Sequence, residues 1–134
     1  VEVPVAAGQG GTLWIGGVDD PHWFQTDDVA RALRNRPDGL FTLLLAHSPE
    51  AAFKAAESGV DLYLCGHTHG GQICLPGSVP IMKNARCPRS LLKGMWRVGT
   101  MTGYTSSGLG FTDLPQRFWC PPEAAILRLR VAEY

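Results

Sequence analysis

Apolar residues gather along this chain into short runs, each closed by a turn or capping residue. Residues 12–18 (TLWIGGV) read as a strand that leads into Asp19, Asp20 and Pro21, with His22, Trp23 and Phe24 in the loop beyond. Thr26 is placed to cap a helix, and Asp27 and Asp28 suit its positive end. Val29, Ala30, Ala32 and Leu33 give that helix an apolar side; Arg31, Arg34 and Arg36 are read as its solvent face, and residues 37–39 (PDG) stop it. Residues 40–46 are almost wholly apolar, as expected of a central strand covered on both faces. His47 ends that run. Ser48 is a candidate cap for a second helix, with Pro49 at its first position and Glu50 in its first turn. Gly59 closes it, and residues 60–65 form the next strand. The order strand, helix, strand, helix, strand with short connections predicts an α/β fold with neighbouring parallel strands and right-handed crossovers.

Beyond Gly70 the pattern weakens. Residues 71–75 are short and strand-like, Pro76 and Gly77 turn the chain, and residues 80–95 form an irregular loop carrying Lys83, Arg86, Arg89 and Lys93. Residues 96–105 alternate and are expected to form one strand. Residues 124–131 alternate as a last strand, with Arg128 and Arg130 on one face. No internal repeat or low-complexity linker interrupts the chain.

The chemistry collects where the first runs end. His47 follows one strand; His67 and His69 follow the next, inside Gly66-His67-Thr68-His69-Gly70-Gly71-Gln72. Open α/β sheets place ligands at the carboxyl ends of their strands. Neutral imidazole binds zinc, manganese or iron, and the flanking glycines allow tight turns and close approach of an anion. The pattern points to half of a metal site; structural or surface histidines are the competing reading. His22 is read as a packed or exposed structural residue. Asp19 and Asp20 either point into the site or cap a turn, and Asp61, at the start of a strand, lies at the wrong edge.

Composition narrows this further. The 134 residues suit one compact domain or part of a larger one. With 45% hydrophobic and only 18% charged residues, the chain is expected to bury surface against something, including protein beyond its own ends. Twelve basic and twelve acidic residues balance, so no polyanion-binding surface is implied and nucleic acid is disfavoured. The chain opens at Val1 within a strand-like run, which suggests a processed or truncated chain; no signal peptide and no bilayer-spanning apolar run is visible. The four cysteines form no CxxC pair, which argues against a zinc knuckle or a disulfide framework. Cys65 is read as a buried thiol, and Cys87 and Cys120 are a possible pair.

The segments Ala46-His47-Ser48-Pro49 and GHTHGGQ (66–72) resemble the calcineurin-like metallophosphoesterases. Gly16-Gly17-Val18-Asp19-Asp20, Gly108-Leu109-Gly110 and residues 115–123 (PQRFWCPPE) are similar to the bacterial membrane-associated branch related to UDP-diacylglucosamine hydrolases and Bacillus-type phosphodiesterases. The resemblance implies a β-sandwich flanked by helices with a two-metal site along strand ends (zinc, manganese or iron). By it, His47 and His67 ligate one metal, His69 ligates the other, and Gly66 permits the turn presenting them. Arg117, in the tail motif, is a phosphate-binding candidate, with a structural or solvated role as the alternative. The family's amino-terminal DxH, GD and GNH(D/E) segments are absent, so residues 1–134 resemble the carboxyl-terminal half of such a domain, and no catalytic residue is assigned. The implied parent is a metal-dependent hydrolase of a phosphodiester or pyrophosphate, with lipid-linked substrates included, in a bacterium, peripheral at the cytoplasmic membrane or otherwise cytoplasmic. This chain alone is expected to be inactive without the missing amino-terminal half; the alternative is a non-catalytic structural or partner-binding domain. The basic loop at 83–93, with Met82, Leu91, Leu92, Met95 and Trp96 near it, is a candidate contact for an acidic lipid surface.

Overall fold

The computed structural model describes residues 1–5 and 11–130. Its centre is one six-stranded sheet in the order β1-β2-β3-β4-β8-β7. The strands are β1 (Glu2–Val5), β2 (Gly11–Gly17), β3 (Phe41–Leu45), β4 (Leu62–Cys65), β7 (Gly94–Val98) and β8 (Met101–Thr105). Strands β2, β3, β4 and β8 run parallel, while β1 and β7 close the two edges antiparallel. A small antiparallel hairpin, β5 (Cys74–Leu75) and β6 (Val79–Pro80), stands apart. Helices α1 (Val29–Leu33) and α2 (Ala52–Glu57, entered through a 3-10 turn at Pro49–Ala51) link the parallel strands. The α/β reading and the parallel order of the first three internal strands therefore hold.

The sheet has two unequal faces. On one face Thr42, Leu44, Tyr63, Cys65, Met101 and Trp96 are buried, and Val29, Ala51, Ala52 and Ala55 from the helical side join them in one core. Tyr63 and Trp96 rings meet at 5.7 Å, and the Trp96 indole N–H donates to Thr105 Oγ1 (2.8 Å). The opposite face carries Leu13, Ile15, Phe41, Leu43, Leu45, Leu64 and Tyr104, apolar or aromatic side chains that are half-buried or exposed, with Leu62 alone among its β4 neighbours buried. Phe41 is 43% and Leu45 45% exposed. Among the described residues strand β3 is thus covered more fully on one face than on the other, where its uninterrupted apolar run suggested cover on both.

Other local expectations are corrected. The α1 cap is Asp28, whose Oδ1 accepts from the Arg31 amide (2.9 Å), rather than Thr26. The helix ends at Leu33, so Arg36 lies outside it and instead donates to Gly59 O (2.8 Å) and Thr42 Oγ1 (3.2 Å). Ser48 makes no side-chain cap bond. Residues 96–105 are two strands of a hairpin, broken at Gly99 and Thr100. Residues 124–130 form no ladder and are exposed, with Val131 outside the described residues. Cys120 approaches Cys74 rather than Cys87, and all four thiols are free. Asp61 accepts from the Thr42 amide (2.7 Å) at the opposite end of β3 and β4 from the histidines.

Candidate metal centre

His47 and His67 leave the same end of adjacent strands because the ladder continues past β3 and β4. Ala46 N–H bonds to Leu64 O (3.1 Å) and Gly66 N–H to His47 O (3.1 Å). The chain then turns sharply. His67 and His69 have φ of +67° and +50°, left-handed values that side-chain-bearing residues adopt only when their surroundings hold them. Those surroundings are present. Thr68 Oγ1 donates to Leu92 O (2.6 Å) and accepts from Gly70 N–H (3.2 Å). Gly70 at φ +63° is required twice over, since a Cβ there would sit 2.7 Å from Ser107 Oγ and 2.8 Å from Cys120 Sγ. Gln72 closes the loop by donating to Thr112 O (2.8 Å) and Leu114 O (2.9 Å) and accepting from Thr112 N–H (2.8 Å).

His47 Nε2 and His67 Nδ1 are 2.9 Å apart. Two nitrogens each about 2.0–2.1 Å from a tetrahedral zinc ion lie roughly 3.3 Å apart, so a small ring movement fits this pair to one ion. The Asn84 carbonyl lies 3.3 Å from His67 Nε2, and Asn84 Nδ2 donates to His67 O (3.3 Å). With Nε2–H donating to that carbonyl, His67 Nδ1 keeps its lone pair on the side facing His47. Burial, helped by the charges of His22 and His47, lowers the His67 pKa and favours the neutral ring a metal needs.

His69 is not brought to the same point. Its Nδ1 lies 3.3 Å from Arg117 Nη2, and its pKa is lowered by burial and then by that guanidinium. Arg117 donates to the carbonyls of Ser107 (2.7 Å), Gly108 (3.2 Å), Gly110 (2.5 Å), His69 (3.3 Å) and Cys120 (3.4 Å). Among the described residues no three His, Cys, Asp or Glu side chains converge as a metal shell.

Two neighbours flank the pair in the structural roles read for them. The His22 ring packs on His67 with centroids 4.4 Å apart, and its Nδ1 lies 2.5 Å from Glu50 Oε1. Asp20 accepts from the amides of His22 (2.7 Å) and Trp23 (3.2 Å), the capping role weighed for it. Its pKa is nonetheless set partly by the site: burial raises it, but those amides and the charges of His47 and His67 prevail and lower it. Nothing in the local sequence marks His22, since its contact with His67 is made only by the folded chain.

A Bacillus subtilis protein described as an uncharacterized metallophosphoesterase, YkuE, is 38% identical over 121 residues, 90% of this chain and 42% of that protein. The chain is a homologue of the metallophosphoesterases. An uncharacterized metallophosphoesterase of Helicobacter pylori is 39% identical over 104 residues, covering 76% of this chain and 27% of the relative. The phosphodiesterase YaeI of Escherichia coli is 34% identical over 90 residues, 65% of this chain and 32% of that protein. The chain thus spans less than half the length of these relatives. Their bacterial sources support a bacterial origin for this metallophosphoesterase homologue. No protein-family model matches it, and no solved structure does. Among the described residues no helix is long and apolar enough to cross a membrane.

Proposed function

We propose that this chain is the carboxyl-terminal part of a metal-dependent phosphoesterase that cleaves a phosphodiester or pyrophosphate. His47 and His67 would hold one divalent ion (zinc, manganese or iron), and His69 would serve a second. The observation that carries this reading is the 2.9 Å approach of His47 Nε2 to His67 Nδ1 at a strand-end rim in a metallophosphoesterase homologue. When bound, a pair of divalent ions supplies an activated water and neutralises charge on phosphorus. The chain's own contribution is positional. Asn84 orients His67, the Thr68 and Gly70 anchors hold the loop, and Arg117 fixes the backbone of His69.

The remaining ligands would come from a preceding segment of a longer protein. The apolar face bearing Leu13, Ile15, Phe41, Leu43 and Leu45 is where that segment would pack, as the second layer of a sandwich. Support comes from relatives more than twice as long as the matched stretch.

The test is metal content and turnover of bis(4-nitrophenyl) phosphate by the natural full-length protein. We expect bound divalent metal and activity, with His67→Ala lowering kcat/KM by at least about 100-fold, the upper end of the loss that follows removal of a residue merely supporting a metal ligand. A well-folded full-length protein that neither retains metal nor turns over the diester would leave the non-catalytic, partner-binding domain as the better reading.

A further inference from the structure

Beside His67 opens a groove of about 720 Å³, lined by His22, Lys83, Asn84, Arg86 and the apolar surface of Ala85, Cys87 and Pro88. The groove is continuous with the histidine rim, because His22 both lines it and stacks on His67, and Asn84 both lines it and bonds to His67.

Its polar donors exceed its acceptors. Lys83 Nζ donates to Cys87 O (2.9 Å), and Arg86 Nη2 donates to His22 O (3.3 Å). Neither side chain has a carboxylate partner among the described residues. The nearby Glu50 engages neither cation's side chain; its Oε1 takes the Arg86 backbone amide (2.8 Å) and lies 2.5 Å from His22 Nδ1. An ammonium has three N–H donors and a guanidinium five, so most of the donors of Lys83 and Arg86 remain for a ligand. Two cationic side chains, neither paired with a carboxylate, suit a dianion. Phosphate monoesters carry close to two negative charges near neutral pH, whereas a sulfate monoester carries one.

We propose that this groove binds a phosphate monoester group attached to an apolar body, and that the enzyme's substrate carries such a second phosphate away from the bond that is cleaved. The assignment of the groove to a substrate rests on the phosphoesterase reading; the capacity to bind the phosphate ester does not. Lys83 and Arg86 contact the anion, and the Ala85 and Pro88 wall takes the apolar part.

The experiment is an NMR titration of phenyl phosphate against the natural full-length protein after dialysis to remove metal, with phenyl sulfate as the monoanionic match. Saturable binding of phenyl phosphate is expected, at least tenfold tighter than phenyl sulfate. Lys83→Met and Arg86→Met should each weaken it tenfold or more, and Arg128→Met, in the exposed tail, should leave it unchanged. Binding should also weaken as salt is raised. No saturable binding, equal affinity for the two esters, or affinity indifferent to Lys83, Arg86 and salt overturns the proposal. The salt series needs only the wild-type protein, so it decides the matter even if a substitution disturbs folding. Binding by the metal-free protein, together with no turnover by the protein resupplied with divalent metal, would sink the phosphoesterase reading while leaving the groove's ligand intact.

Discussion

Arg117 shows how a side chain whose motif suggests chemistry can be employed for structure. Its motif suggested phosphate binding, yet its guanidinium spans five carbonyls from His69 to Cys120. Removing it leaves several of those acceptors without a donor. Arg117→Ala should therefore destabilise the protein by about 2 kcal/mol, read as a lower urea midpoint. Arg117→Lys should recover only part of this, because an ammonium lacks the planar fork. If Lys restored the midpoint fully, the carbonyl cluster would not be the reason for the arginine. At this scale the sequence was informative where a residue ends a hydrophobic run: His47 and His67 were legible from position alone. His22, Asn84 and Gln72 were not, because each acts on a residue more than 15 positions away.

Strands and helices were readable in proportion to how far local pattern decides them. The runs at 12–18, 40–46 and 60–65 became β2, β3 and β4 within a residue or two at each end. Residues 96–105 did not become one strand, because Gly99 at φ +58° turns the chain and folds β7 back on β8. Alternation at 124–130 marks two faces but supplies no ladder partner, and the segment stays outside the sheet. The β7–β8 hairpin depends on a second glycine. A Cβ at Gly103 would lie 2.1 Å from the Trp96 ring, a rigid group that also bonds Thr105 and packs on Tyr63. Gly103→Ala should cost about 2–3 kcal/mol, measurable by thermal or urea unfolding, and should perturb the Trp96 fluorescence. An unchanged midpoint would mean that the indole can leave its site freely.

For the molecule as a whole, the difference between the two sheet faces dominates. Sequence reasoning took the apolar run of β3 as evidence of cover on both sides; composition cannot say whether the second cover belongs to the same chain. The outcome is an open apolar face within the described residues. Residues 1–134 prepared alone should self-associate, and light scattering should show species larger than the 14.5 kDa monomer. Phe41→Lys with Leu45→Lys should shift that distribution toward monomer. A strictly monomeric wild-type chain at high concentration would show that this face is tolerated in water.

The parallel pairing of β4 with β8 joins residues some 40 positions apart, as in Leu62 with Thr102, and everything between them forms one long excursion. Closing such a loop costs entropy before its contacts repay it. The bond from Thr68 to Leu92 and the Arg117 anchors to the histidine turn all draw on residues beyond β4. During synthesis, the turn bearing His67 and His69 therefore emerges well before the segments that hold it in its left-handed shape. The order of assembly makes the histidine rim a late product of folding, and a nascent chain halted before residue 92 carries the motif without its geometry.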